Sequence, residues 1–535
     1  MKHQSARGGV RAMLALLMAA ALALSLMASA RPGPHQRTAG HRATGHQAAS
    51  APATFSGADG VEARWVVREN QRPGSLNWQI TNPAGAGGID GYASAVQATR
   101  GQEVTLYVST AAPTYQVQAY RIGYYGGAGA RLVWHSPVER GGVQRACPVT
   151  PGTNMVECSW SPSLRVRISR AFVQGDYLLK LTGSGNQQSY VPLTVWDPQS
   201  HATYLVQNSV LTWQAWNPYG GYNLYLGATP CAPNTYPCSS RARVVSFDRP
   251  YAASFGEGAA DFLGEEYPLI RLMEQHGLDV TYGTDITTDE QPQLLADHRA
   301  VLSLGHDEQW SLSMRNGVMS ALAHGVNLAF FGASPVLRKV RLQASPLGPD
   351  REVVNYRDPE ADPAYRSDPS EVSQNEWIQP PASWSPSELV ASTYRGAEFD
   401  VPLVVTDASS WLYQGTDLRN GSQLPGVIQA DYNGYVPSDP NPPNVEILAH
   451  SPVKPAVGAP GYADTVYYTS SASKGGVFSS GTNAWIPALS PCATASSSCP
   501  AAALSQMTGN LLRLFGSGPA GVQQPSVANW RSYYG

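Results

Sequence analysis

The spacing of apolar residues changes at Asp197-Pro198, and that change constrains the fold more than any other feature of the chain. Over residues 55–196 the apolar positions fall in short alternating runs, as in Val104-Thr105-Leu106-Tyr107-Val108 and Tyr177-Leu178-Leu179-Lys180-Leu181. A period of two fits half-buried antiparallel strands. Gly126-Gly127-Ala128-Gly129 and Gly183-Ser184-Gly185-Asn186 punctuate the runs as turns would. Residues 55–198 therefore read as a β-sandwich domain.

Beyond Pro198 the rhythm is strand, helix, strand. Residues 203–210 and 242–247 read as buried strands, and 260–276 as a helix with Phe262, Leu263, Leu269, Ile270 and Met273 on its apolar face and Gly277 to end it. Strands over 278–282, 300–304 and 326–331 follow, with a helix over 312–324 stopped by Gly325. Such alternation implies an α/β domain over 199–535 with a mainly parallel sheet. A Pro/Ser/Asp-rich stretch at about 345–450, holding Trp377, Trp384 and Trp411, reads as a long insertion, after which 466–478 and a helix over 503–515 return to the sheet.

Lys2, Arg7 and Arg11 precede an apolar run over 13–27, and Ala28-Ser29-Ala30 offers a small-x-small cleavage site. Residues 1–30 thus read as a secretory signal peptide cleaved after Ala30, the alternative being an uncleaved N-terminal anchor, and 31–54 as a flexible linker. The six cysteines agree with export, since they form three close pairs: Cys147 with Cys158, Cys231 with Cys238 and Cys492 with Cys499. Loops this short close at low entropic cost, so each pair is expected to be a disulfide. A net charge of −3 without a basic run leaves nothing to neutralise a phosphate backbone, which excludes nucleic acid as the expected partner. No segment after the signal is expected to span a membrane, and nothing in the sequence specifies the oligomeric state.

In parallel sheets, ligands bind beyond the carboxyl ends of strands. Gly305-His306-Asp307-Glu308 follows the strand over 300–304 directly, gathering three titratable side chains where burial tunes them. Acidic residues before a helix also read as caps, and Tyr251 after Pro250 also reads as a core edge. The chain has no G-x-S-x-G, H-E-x-x-H or P-loop motif, and no G-x-G-x-x-G opening a helix after a strand.

Tyr120-Arg121-Ile122-Gly123-Tyr124-Tyr125-Gly126-Gly127, Trp213-Gln214-Ala215-Trp216-Asn217, Asp248-Arg249-Pro250-Tyr251, Gly305-His306-Asp307-Glu308 and Asn327-Leu328-Ala329-Phe330-Phe331-Gly332 together resemble the large-subunit family of N,N-dimethylformamidase. The likeness spans about residues 65–515. It implies a sandwich followed by a domain similar to class I glutamine amidotransferases, with Gly305-His306 where the nucleophilic cysteine of that fold would stand. It further implies an iron centre held by two tyrosines and a glutamate: Glu308 matches the glutamate and Tyr251 one tyrosine, while Trp216 stands at the position of the other, for which Tyr219 or Tyr222 would substitute. His306 matches a histidine beside the glutamate and would act as general acid and base. Phenolate and carboxylate are hard donors suited to ferric ion.

The chain departs from the family pattern at Trp216, where many relatives carry Tyr, and at Gln309, where an aromatic is common. Ser334 and Arg357 stand near an asparagine and a lysine of the family and are counted with the catalytic positions. The expectation is an exported, metal-dependent hydrolase of small amide-type C–N bonds. A non-catalytic module binding extracellular or cell-wall carbohydrate through Tyr and Trp stacking is the alternative, favoured by Trp216 at a tyrosine position, the N-terminal sandwich and the low charge, and a glycoside hydrolase is the third reading.

Overall fold

The computed structural model describes residues 53–85, 87–229, 231, 237–454, 460–492 and 499–535, with the side chains of 398–400 excepted. The signal at 1–30 and nearly all of the 31–54 linker lie outside the described residues. The fold is mixed and sheet-rich, with several sheets and few helices.

Toward the N-terminus, a three-stranded sheet of Leu164–Arg167, Glu103–Thr110 and Ile89–Ala93 lies with a six-stranded one built around Gly175–Gly183 and Thr114–Ile122. Val104, Leu106 and Val108 from the first meet Val117, Leu179, Leu181 and Leu193 from the second in one buried cluster. Each such side chain contributes roughly 1.5–3 kcal/mol on leaving water. Leu178, Tyr120 and Ile122, on the opposite face of the same strands, join the larger core instead. The larger sheet is thus buried on both faces, which explains why Leu178-Leu179 interrupts strict alternation.

That larger core surrounds a seven-stranded sheet. Its strands are β1 (Tyr204–Asn208), β2 (Val280–Thr284), β3 (Ala300–Ser303), β4 (Asn327–Phe330), β5 (Glu446–Val453), β6 (Gly461–Thr469) and β7 (Gly476–Ser479), in the order β2-β1-β3-β4-β7-β6-β5. The first five in that order are parallel, and β6 and β5 add antiparallel to the edge. The helices that serve the site and the core are α1 (Val210–Trp216), α2 (Tyr267–Gln275), α3 (Asp285–Glu290), α4 (Leu312–Ala323) and α5 (Ala501–Gly516).

Several boundaries differ from those expected. The helix expected over 260–276 is a π-helical turn, Phe262–Glu266, and then α2, because Pro268 has no N–H to give and is tolerated only in a first helical turn. Only Val244–Ser246 of the expected 242–247 strand forms, and it pairs antiparallel with Gly348–Val354 outside the parallel sheet. Asp248, whose Oδ1 lies 2.6 Å from Arg351 Nε, helps fix that pairing. Neither Asp307 nor Glu308 caps α4; Ser311 does, its Oγ accepting from the Met314 N–H at 3.1 Å. Within 345–450 the chain forms a long hairpin, Thr393–Val404 with Gln423–Gly434, and β5 already belongs to the central sheet.

The sheets are tied together by buried polar groups. Asp176, in the strand Gly175–Gly183, accepts from Thr194 Oγ1 at 2.8 Å and from Asn208 Nδ2 of β1 at 2.6 Å, both on Oδ1, while Oδ2 has no hydrogen-bond partner among the described residues. Burial pushes this carboxyl up to about 7, against the opposing pull of the Thr194 and Asn208 bonds. A raised carboxyl stabilises the fold fully below its unfolded pKa near 4 and loses that contribution as pH rises through about 7. Asp176→Asn is therefore expected to be more stable than wild type at pH 8, by on the order of 4 kcal/mol, with the gap closing toward pH 4. Urea unfolding midpoints at the two pH values measure it; a gap that does not change with pH would contradict it.

Candidate functional site

The loops that leave the C-terminal ends of β3 and β4 meet. Ser303 ends β3 and leads through Leu304-Gly305 to His306, while Phe330 ends β4 and leads through Phe331-Gly332 to Ser334. A Cβ on Gly332 would lie 1.9 Å from the Gly305 carbonyl oxygen, so only glycine permits this approach. From the neighbouring β1, α1 contributes Thr212, whose Oγ1 accepts from the Glu308 and Gln309 N–H groups at 2.9 and 3.2 Å.

After Glu308 the chain forms a two-residue strand, Gln309–Trp310, parallel to Arg338–Lys339. This pairing sets Arg338 against Glu308: its N–H donates to the Glu308 carbonyl at 2.9 Å, and its Nε to Glu308 Oε1 at 2.7 Å. The other carboxylate oxygen accepts from the Tyr225 hydroxyl and from Gln309 Nε2 at 3.3 Å. Burial alone would raise the Glu308 carboxyl, but Arg338, His306 and the Tyr225 hydroxyl hold it down to about 2. Burial in turn raises the Tyr225 phenol, and the adjacent Glu308 carboxylate adds to the rise.

His306 Nε2 lies 3.5 Å from Glu308 Oε2 and 3.5 Å from Asp431 Oδ2. Neither contact is a hydrogen bond, and this buried nitrogen has no hydrogen-bond partner among the described residues. Burial favours the neutral imidazole, yet Glu308, Asp431, Glu265 and Asp261 together outweigh it and raise the ring. The His306 backbone N–H donates to Glu265 Oε2 at 3.0 Å, which fixes the loop. Asp431, from the hairpin strand Gln423–Gly434, is raised by burial although His306 opposes this. It accepts from Ser334 Oγ at 3.3 Å and Tyr394 hydroxyl at 3.3 Å. Its side chain is 22 % exposed and that of His306 11 %, so solvent reaches the pair from this side.

The other expected residues are placed as follows. Ser334 sits beside Asp431, with its N–H on Asn433 Oδ1 at 2.8 Å and φ of 51°, a left-handed conformation that asparagine tolerates better than serine. Arg357 lies over the Tyr225 ring at 4.5 Å and donates to Asn375 Oδ1 at 2.7 Å. Trp216 stacks on Tyr225, 3.8 Å between centroids, and stands tilted 5.9 Å from the His306 ring. Asp307 turns away from His306: it accepts from Ser303 Oγ, Gln207 Nε2 and Trp310 Nε1 at 2.7, 2.9 and 2.8 Å and holds the loop from beneath.

Two expected ligands lie elsewhere. Tyr219 packs against Tyr92, Tyr107, Cys158 and Trp160. Tyr251 meets Trp213 edge-on at 6.4 Å and lines a cavity of ≈ 30 Å³ with Asp176 and Asn208. No hydrogen bond or ion pair joins either to Glu308 among the described residues. The set Glu308, Tyr251 and Tyr219 therefore does not fit an iron ion: its phenols do not converge, and both Glu308 oxygens are engaged by Arg338 and Tyr225.

Sequence reading missed Tyr225, Arg338 and Asp431. Asp431 carried a signal, being a lone acid inside the apolar strand Val427-Ile428-Gln429-Ala430-Asp431-Tyr432. The expected disulfides Cys147–Cys158, Cys231–Cys238 and Cys492–Cys499 are all formed.

A family model described as N,N-dimethylformamidase beta subunit-like, C-terminal, matches residues 116–499. No curated protein matches. Among solved structures 26 chains match. One is the Paenibacillus sp. cycloisomaltooligosaccharide glucanotransferase complexed with cycloisomaltoheptaose, at 12 % identity and a TM-score of 0.14, covering 24 % of this chain and 18 % of its own. A likeness so slight carries no argument.

Proposed function

The chain belongs to the N,N-dimethylformamidase beta subunit-like family, and from that premise we propose that it is a hydrolase of small amide-type C–N bonds. The observation that carries the reading is the convergence of His306 with Asp431 and Glu308 at the carboxyl end of β3. Amide hydrolysis adds water across the C–N bond: the carbonyl carbon gains hydroxyl and the departing nitrogen gains a proton. The raised His306 imidazolium supplies that proton through its unbonded Nε2, and Asp431, partly open to solvent, takes one from the attacking water. Glu308, held ionised by Arg338, keeps the imidazole charged and in place.

The same reading takes residues 55–198 as a β-sandwich domain and 199–535 as a glutamine amidotransferase-like domain. It takes the protein as exported, supported by three disulfides; no helix among the described residues is long and apolar enough to cross a membrane.

The test is amine release from a panel of formamides, acetamides and larger primary and N-alkyl amides, by the protein secreted through an oxidising route. Turnover of at least one amide is expected. No turnover across the panel, together with retention on polysaccharide or release of reducing sugar, would replace this reading with carbohydrate binding or glycoside hydrolysis.

A further inference from the structure

The centre that the resemblance gives to iron already contains a cation of the chain's own. Arg338 Nε meets Glu308 Oε1 at 2.7 Å, with the two side chains 12 % and 3 % exposed. The guanidinium is fixed from two further directions, by the parallel pairing of Gln309–Trp310 with Arg338–Lys339 and by Nη1, which donates to the Asn375 carbonyl and to Asn375 Oδ1, each at 3.0 Å. Asn375 Oδ1 also accepts from Arg357, whose guanidinium covers the Tyr225 ring. A multivalent metal bridging Glu308 and Tyr225 would have to displace Arg338 from the carboxylate and stand beside two guanidinium groups. Removing a guanidinium from a buried carboxylate, or adding a like charge next to it, is costly in a low-dielectric site.

We propose that Arg338 is the resident cation of Glu308, so that in this chain a guanidinium–carboxylate pair occupies the position of the family's metal and the centre binds no iron. Arg338 is then a positioning residue: it keeps Glu308 oriented toward His306, 3.5 Å away, and takes no part in proton transfer. The inference deepens the hydrolase reading, but its readout is metal content and stability, so either can fail without the other.

The experiment uses the full chain produced through a secretory route, supplemented with ferrous and ferric iron, then desalted and measured for iron per chain and for visible absorption. Wild type is expected to retain only trace iron and to show no phenolate-to-ferric band. Arg338→Gln leaves Glu308 without its partner and is expected to lower the thermal midpoint by roughly 5–10 °C, with Arg338→Lys recovering part of the loss. Near-stoichiometric iron in wild type would overturn the proposal, and so would an Arg338→Gln protein with an unchanged midpoint. Should Arg338→Gln not fold, iron titration of wild type followed by calorimetry still decides, with stoichiometric heat of binding overturning the proposal.

Discussion

Replacing Glu274 by alanine is expected to destabilise the protein by about 3–5 kcal/mol, because it leaves a fully buried guanidinium without its counter-charge. Arg121, at the end of the strand Thr114–Ile122, and Glu274, near the end of α2, are both inaccessible to solvent and meet through two bonds, Nη1 to Oε2 at 3.0 Å and Nη2 to Oε1 at 2.5 Å. The Tyr282 hydroxyl of β2 donates to the same carboxylate at 2.5 Å, and Asn70 Nδ2 bonds its other oxygen. One carboxylate thus ties together three elements that the larger core alone would let slide. Glu274→Gln, which keeps the shape and some hydrogen bonds, should cost less. Urea unfolding measures both, and an Ala variant with the wild-type midpoint would show that the pair contributes nothing. The double change Arg121→Met with Glu274→Leu should recover only part of the loss, since an apolar pair avoids the desolvation of both charges but leaves the Tyr282 hydroxyl and Asn70 without their acceptor.

The largest kinetic effect is expected at His306. On whichever amide is turned over, His306→Gln should lower kcat by about 10²–10⁴-fold with little change in unfolding midpoint, as removal of a general acid does. Since Glu308, Asp431, Glu265 and Asp261 raise the imidazole against burial, the active acid form persists above the ordinary histidine range. Wild-type kcat should therefore fall on the alkaline side of that raised pKa, and the limb should be absent from the Gln variant. A variant retaining both full kcat and the alkaline limb would remove His306 from the reaction.

Much of this was legible before any coordinates. The change of apolar period at Asp197-Pro198 separated the mainly antiparallel sheets from the mainly parallel one, because side-chain period is a local property that burial enforces strand by strand. The place of His306 and Glu308 just after β3 was legible from the apolar pattern, and the disulfides from spacing. What escaped were residues whose role depends on register between distant segments. Arg338 is an ordinary basic residue until Gln309–Trp310 pairs with its strand, and Tyr225 one of many tyrosines until its hydroxyl meets Glu308. Tyr251 and Tyr219 show the converse, since resemblance gave them a role that depended on side chains converging, and sequence order carries no information about where a ring points. At the start of α2 a local constraint overrides periodicity: Pro268, lacking an N–H, fits only a first helical turn, whatever the apolar spacing around it.

The hairpin that carries Asp431 gives the site its own history within each molecule. His306 and Glu308 come into position with β3 and its neighbours, whereas Asp431 arrives on a strand far along the chain that must first pair with Thr393–Val404. Closing so long a loop is entropically late, and the pairing of β4 with β7 closes one longer still, so Asp431 and the far half of the sheet are expected to arrive together. A newly made chain would therefore pass through a stage in which β1 to β4 are paired while His306 and Glu308 still wait for Asp431.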